Sequence, residues 1–271
     1  MTSCVFINLP AAEDRRRSVE ASFAAARAGD WRLHRFEALG PPDVAEVPGA
    51  LTLAEKACFA SHRAALGERL QDEDPVLIVE DDAVFATQAF GVLDGLLAQG
   101  GDWDLIFTDA ALCDFNLMVH LASRRDGMAA RGEYLPVDLK GRSYFGATAY
   151  AVRGSSKRRL HAALAAADAL DRPYDIFLRD LIHSGAFKAA VAFPFLTSLA
   201  PQADGSQIQG GEAQVFDATL NAYRRLMYVA RDLDQCRADA ERLRAANGDE
   251  AARMVGEVFG AIVSPAFPLD R

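Results

Sequence analysis

Three consecutive carboxylates, Glu80, Asp81 and Asp82, close the apolar run "VLIV" at residues 76–79. Hard divalent cations such as Mn2+ and Mg2+ prefer carboxylate oxygens and complete their shell with water and substrate phosphates. One or two acids at a strand end therefore suffice for a metal–diphosphate site. Glu80 and Asp82 point the same way if extended geometry persists through them; the plainer reading is a solvated acidic loop. Two further aspartates stand at the ends of predicted elements. Asp175 follows Pro173 at the start of a predicted helix, where the helix dipole alone would also favour it, and Asp109 ends a predicted strand.

Arg15 and Arg16 offer planar forks suited to phosphate, or else form a solvated helix face. Asn8 closes the first predicted strand, and Gly146 would let backbone approach a ligand closely. Ser61 and His62 sit side by side within a predicted helix, so they cannot share one face. No GxSxG nucleophile elbow and no Gly-rich phosphate cradle is present.

The elements that must position these groups read as an alternation. "CVFINL" (4–9) is a strand, followed by a helix over 13–27, a strand over 32–39, a Pro/Gly-rich loop over 40–50 and a helix over 52–70. "PVLIV" (75–79) lacks polar alternation, as a central parallel strand covered on both faces should. A helix over 87–97 and a strand over 104–110 follow. This order predicts an α/β fold with a largely parallel sheet, and ligands in such sheets bind beyond the carboxyl ends of the strands. Further on, the pattern predicts a strand over 143–152, a serine-capped helix over 155–170, a helix over 172–184 closed by Gly185, and a strand over 189–196. The polar loop at 200–211 contains Ser206. From 212 to about 246 the chain reads as one long helix. Leu226, Leu233 and Ala240, interleaved with Val229, Cys236 and Leu243, give it a heptad-like spacing. That spacing suits either a short coiled coil joining two subunits or a helix packed on its own domain.

The 271-residue chain carries a net charge of −9, which disfavours a broad nucleic-acid-binding surface but not a small phosphorylated ligand offset by a metal. The four cysteines are scattered and read as reduced, buried small side chains. No signal peptide and no membrane-spanning run is evident. The expected compartment is the cytoplasm, with the protein free or peripheral at the inner face of the membrane.

Six segments, in order, resemble glycosyltransferase family 25, which includes bacterial lipooligosaccharide galactosyltransferases. They are "VFINLPAAEDRRR" with Arg15 and Arg16, "AEKACFASH" with Glu55, Cys58, Ser61 and His62, "VLIVEDD", "YFGATAYAV", "RPYDIFL" and the terminal "GSQI". Ala11, Ala54 and Ala57 depart from the family pattern. The resemblance implies a GT-A type fold: a mixed, largely parallel sheet flanked by helices over residues 1–211, with 212–271 as a helical extension. It implies an inverting, metal-dependent hexosyltransferase of lipopolysaccharide or cell-surface polysaccharide synthesis. Such an enzyme would move galactose from UDP-galactose to a glycan or lipid-linked saccharide acceptor. Asp82, assisted by Glu80, would hold Mn2+ or Mg2+. Asn8, Leu9, Arg15, Arg16, Ser61, His62, Asp81, Gly146 and Ser206 would line the donor, and Asp175 or Asp109 would act as base. The competing expectations are a nucleotide-sugar- or glycan-binding protein without turnover, which the three alanines favour, and a metal-dependent phosphohydrolase.

Overall fold

A computed structural model describes residues 2–99, 103–200, 213–245 and 250–264. Ser206 and the loop around it lie outside them. Strand β1 (Ser3–Asn8) leads through helix α1 (Glu13–Ala25) to β2 (Arg32–Glu37). Helix α2 (Leu53–Gly67) then leads to β3 (Val76–Glu80). A short strand β4 (Ala83–Phe85), helix α3 (Ala89–Ala98), β5 (Leu105–Phe107) and β6 (Ala111–Leu112) follow. Helix α4 (Phe115–Arg131), an element absent from the sequence reading, is capped by Asp114, whose carboxylate accepts from the Leu117 N–H at 3.1 Å. After β7 (Leu135–Asp138) come β8 (Tyr144–Phe145), β9 (Ala149–Val152), helices α5 (Gly154–Ala165) and α6 (Tyr174–His183), and strands β10 (Ala189–Phe193) and β11 (Thr197–Leu199).

Seven strands form the central sheet in the order β2-β1-β3-β9-β5-β10-β7. Strands β1, β2, β3, β5 and β10 run one way, and β9 and β7 run against them. The sheet is therefore mixed and largely parallel, with helices on both faces. Alternate residues of the apolar strands feed two cores. Cys4, Phe6, Leu77 and Val79 meet Val19, Phe90 and Leu93 on one side. Val5, Ile7, Ile78 and Phe107 meet Phe59, Leu66, Leu160 and Leu178 on the other. Burial on both faces is why "VLIV" shows no polar alternation.

Two expectations change in detail. The predicted strand at 143–152 is broken at Gly146, whose φ of +84° is left-handed, so β8 turns away to pair with β6 while β9 enters the central sheet. Helix α5 starts on Gly154, one residue before the expected serine, with Arg153 at the cap position and no side-chain cap; the chain there passes the Glu73 carbonyl so closely that a Cβ on Gly154 would sit 1.7 Å from its oxygen.

The single long C-terminal helix is corrected to three: α7 (Ala213–Met227), α8 (Leu233–Arg244) and α9 (Glu250–Ile262). The break after Met227 has identifiable causes. The Val229 N–H donates to the Phe195 carbonyl at 2.9 Å, and Arg125 of α4 grips the carbonyls of Tyr228 and Val229. Asp232 then caps a fresh helix through the N–H groups of Asp234 and Gln235. The heptad spacing is accordingly not a seam on one helix. Leu226, Cys236, Ala240 and Leu243 are buried in the same core as the sheet, while Leu233 is 40% exposed. The four buried positions pack inside the chain, as the own-domain reading of the spacing expects.

Candidate active site

Strand β3 ends at Glu80, and Asp81 and Asp82 form the turn into β4. The extended-strand argument for Glu80 and Asp82 therefore fails, because the backbone bends between them. They remain electrostatic neighbours all the same, since the Glu80 charge pushes the Asp82 pKa up. The turn is pinned by the Ala200 N–H, which donates to the Asp82 carbonyl at 2.8 Å, and by the Thr148 carbonyl, which accepts from the Glu80 N–H at 2.7 Å.

The three acids face three different surroundings. Asp81 is buried and committed: Asn8 Nδ2 donates to one oxygen at 2.7 Å and Arg15 to the other at 2.9 Å, while Arg35 donates to Asn8 Oδ1 at 3.0 Å. Glu80 meets His62 Nε2 at 3.3 Å. The other ring nitrogen of His62 lies 3.1 Å from the Tyr150 hydroxyl, and its ring stacks on Tyr174 at 4.1 Å between centroids. Asp82 has an oxygen, Oδ1, that is buried without any hydrogen-bond partner. Buried unpartnered carboxylate oxygens are costly, and this one is suited to a cation.

Charge follows geometry. Burial pushes the Glu80 carboxyl up, but the His62 hydrogen bond and charge, with Arg224 and Arg15, outweigh it and hold the pKa below its ordinary value. Asp82 has no such partner: burial and then the Glu80 charge raise it from 3.8 to about 7. A carboxyl raised in the folded state weakens folding once it must ionise, so its contribution falls as pH rises from about 4 to about 7. The depressed Glu80 acts in a different window, losing its contribution only as pH falls below about 4.5. In the metal-free protein, Asp82→Asn is expected to raise the melting temperature by a few degrees at about pH 8 and by almost nothing at about pH 4. Scanning calorimetry in chelator across that range checks it, and saturating Mn2+ should abolish the advantage of asparagine.

Arg224 of α7 completes the corner. It is 5% exposed and donates through Nε to Asp109 Oδ2 at 2.8 Å, with a second nitrogen on the same oxygen. Its charge also lowers the pKa of Glu80 and of Asp82. Burial raises the Asp109 carboxyl and Arg224 offsets part of the rise; the other Asp109 oxygen is buried without a partner. Asp175, in the first turn of α6, accepts from the Gly146 N–H at 2.9 Å and from the Ile176 N–H at 2.9 Å. The left-handed Gly146 thus serves to aim an amide at Asp175. Burial, and after it the charges of Glu80, Asp175, Glu55 and Asp82, raise the Cys58 thiol.

The other candidates disperse. Arg16 pairs with Glu20 on its own exposed helix face. Ser61 donates to the Ala57 carbonyl and accepts from the Leu39 N–H, tying α2 to the chain after β2. Leu9 is 37% exposed beyond β1. Glu55, part of one resembling segment, belongs to a capping box with Thr52 at the start of α2. Arg224 was missed, yet "AYRRLMYVA" carries a signal: paired arginines in an apolar helical run need buried anions, here Asp109 and Asp239. A cavity of about 310 Å3 lined by Trp103, Asp138 and Lys188 lies at the amino ends of β5 and β10, away from the acids.

Residues 1–166, more than half the chain, match the profile of glycosyltransferase family 25, described as an LPS biosynthesis protein family. The chain belongs to glycosyltransferase family 25. The family 25 match covers Glu80, Asp81 and Asp82 but ends before Asp175 and Arg224. Among solved structures the chain is similar to the galactosyltransferase LgtC in complex with donor and acceptor sugar analogues, at 19% identity over 70% of this chain and 72% of that one, with a TM-score of 0.36. An active-site mutant of LgtC gives 18% identity over 70% and 71%, with a TM-score of 0.38. No curated protein sequence matches the chain. No helix among the described residues is long and apolar enough to cross a membrane.

Proposed function

We propose that this member of family 25 is a metal-dependent hexosyltransferase. In this reading it moves galactose from UDP-galactose, with inversion, to a hydroxyl of a glycan or lipid-linked acceptor in cell-surface lipopolysaccharide synthesis. The observation that carries the reading is the unpartnered, buried Asp82 oxygen beside Glu80 at the carboxyl end of β3. Asp82 and Glu80 would hold Mn2+ or Mg2+, which when bound would act as a Lewis acid on the donor's diphosphate. Asn8 and Arg15 brace Asp81, so that the turn presents Asp82 in a fixed direction. Arg15 remains partly exposed and is available to the donor.

The acceptor hydroxyl must lose its proton on the face of the sugar opposite the leaving group. Asp175 suits this task better than Asp109. Its two anchoring N–H groups fix the carboxylate while each oxygen keeps acceptor capacity, whereas Asp109 is buried and held by Arg224. Asp175→Asn is expected to lower kcat by about 10²–10⁴-fold with the donor KM nearly unchanged. Steady-state UDP release measures both, and an equal loss in Asp109→Asn alone would transfer the role to that residue.

The reading as a whole is tested by incubating the protein with UDP-, GDP- and CMP-sugars, with and without Mn2+, and following melting temperature and nucleotide release. Stabilisation by UDP that requires Mn2+, with UDP release from UDP-galactose, supports it. Stabilisation without release from any donor would favour a sugar-nucleotide-binding protein, and indifference to every nucleotide would overturn the reading. The anomeric configuration of the product by NMR decides between inversion and retention.

A further inference from the structure

Cys58 and His62 stand four residues apart on α2 and so share a face. The end of β3 brings Glu80 against that face, so that the Cys58 sulfur, a His62 ring nitrogen and a Glu80 oxygen all lie within 4.8 Å of one another. This is the only such group of three among the described residues. We propose that these three side chains form a second metal site, selective for a thiophilic zinc-class ion, whose occupation withdraws Glu80 from the acidic turn and switches transfer off.

The dimensions suit the ion. At zinc's usual bond lengths, tetrahedral ligand atoms lie roughly 3.4–3.6 Å apart. His62 and Glu80 are already at 3.3 Å, so a rotation of the Cys58 side chain is the principal adjustment. The imidazole is aimed as metal-binding histidines are. One nitrogen faces Glu80, the other meets the Tyr150 hydroxyl, and the stack on Tyr174 fixes the ring plane. Tyr150 and Tyr174 hydrogen-bond each other at 2.5 Å, which stiffens this support. Three protein ligands leave a fourth position open to water. A thiolate in the set discriminates against Mg2+, which takes oxygen ligands. On binding, the sulfur–metal bond forms as the thiol proton passes to solvent.

Occupation itself does not depend on the transferase reading, whereas inhibition does, because only in that reading does Glu80 serve the donor's metal. The two are therefore tested separately. Co2+ added to the full chain without nucleotide is expected to produce a near-ultraviolet thiolate-to-cobalt charge-transfer band at one equivalent. Zn2+ should remove the band and excess Mg2+ should leave it. Cys58→Ser and Cys58→Ala should each weaken Co2+ binding by at least about 100-fold, while Cys113→Ser, a half-buried cysteine outside the cluster, should bind as the parent does. Absence of the band in the parent protein, or its survival in both Cys58 variants, would overturn the site. In the UDP-release assay, Zn2+ should inhibit the parent with a midpoint at least about ten-fold lower than in Cys58→Ser. Equal inhibition of both would overturn the switch, and a parent with no UDP release at all would count against the transferase reading instead of the metal site.

Discussion

Asp82→Ala is expected to reduce transfer by roughly 10³-fold or more, because the carboxylate's contribution to holding a Lewis-acidic ion amounts to several kcal/mol of transition-state stabilisation. The loss should fall on kcat and on the Mn2+ concentration needed for activity. Folding should not suffer, since Asp82 Oδ1 has no partner to lose and its ionisation is already disfavoured. Glu80→Gln should cost less, because His62 still orients a side chain of the same shape. The measurement is UDP release across a Mn2+ titration, with melting temperature as the folding control. Full activity in Asp82→Ala at saturating Mn2+ would remove the acidic turn from the mechanism.

Arg224→Met is expected to act in two ways at once. Removing one member of a buried ion pair leaves Asp109 uncompensated, at a cost of about 3–5 kcal/mol of stability. It also removes a cation whose charge lowers the pKa of Glu80 and of Asp82, so both carboxyls should take up protons at higher pH and the pH dependence of Mn2+ binding should shift. A second substitution separates the effects. Asp109→Leu combined with Arg224→Met removes both charges, and buried pairs replaced by apolar side chains often recover stability. The double variant is expected to regain most of the lost stability in urea unfolding while its Mn2+ dependence remains altered. Recovery of both would make Arg224 a purely structural cation.

How much of this was legible depends on the kind of signal. Strands β1 and β3 were readable because two buried faces leave uninterrupted apolar runs, and Glu80–Asp82 stood out against them. Short strands such as β4, β6 and β11 span only two or three residues and carry no period of their own. Strand β9 was merged with β8 because the Gly146 bend depends on Asp175, 29 residues further along. The long C-terminal helix was misread because its break is imposed from outside, by Arg125 and Phe195, and local propensity contains neither. At the site, Asp81 with Asn8 and Arg15 follows from one strand end meeting the next. The convergence of Cys58 with Glu80 and of Arg224 with Asp109 required the tertiary structure.

The reach of that last pairing bears on how the protein is made. Asp109 and Arg224 are 115 residues apart in sequence, so a chain emerging from the ribosome carries Asp109 long before its partner guanidinium exists. The amino-terminal portion can gather its strands as it appears, and Arg15 and His62 are there to meet Asp81 and Glu80, but Asp109 stays without its cation until Arg224 has been made. A fragment trimmed to the family-defining residues would be frozen at that stage, with bare apolar flanks where Tyr223, Leu226 and Phe259 should lie. Expression of such a fragment should yield aggregate, and adding back residues 167–271 should restore soluble protein.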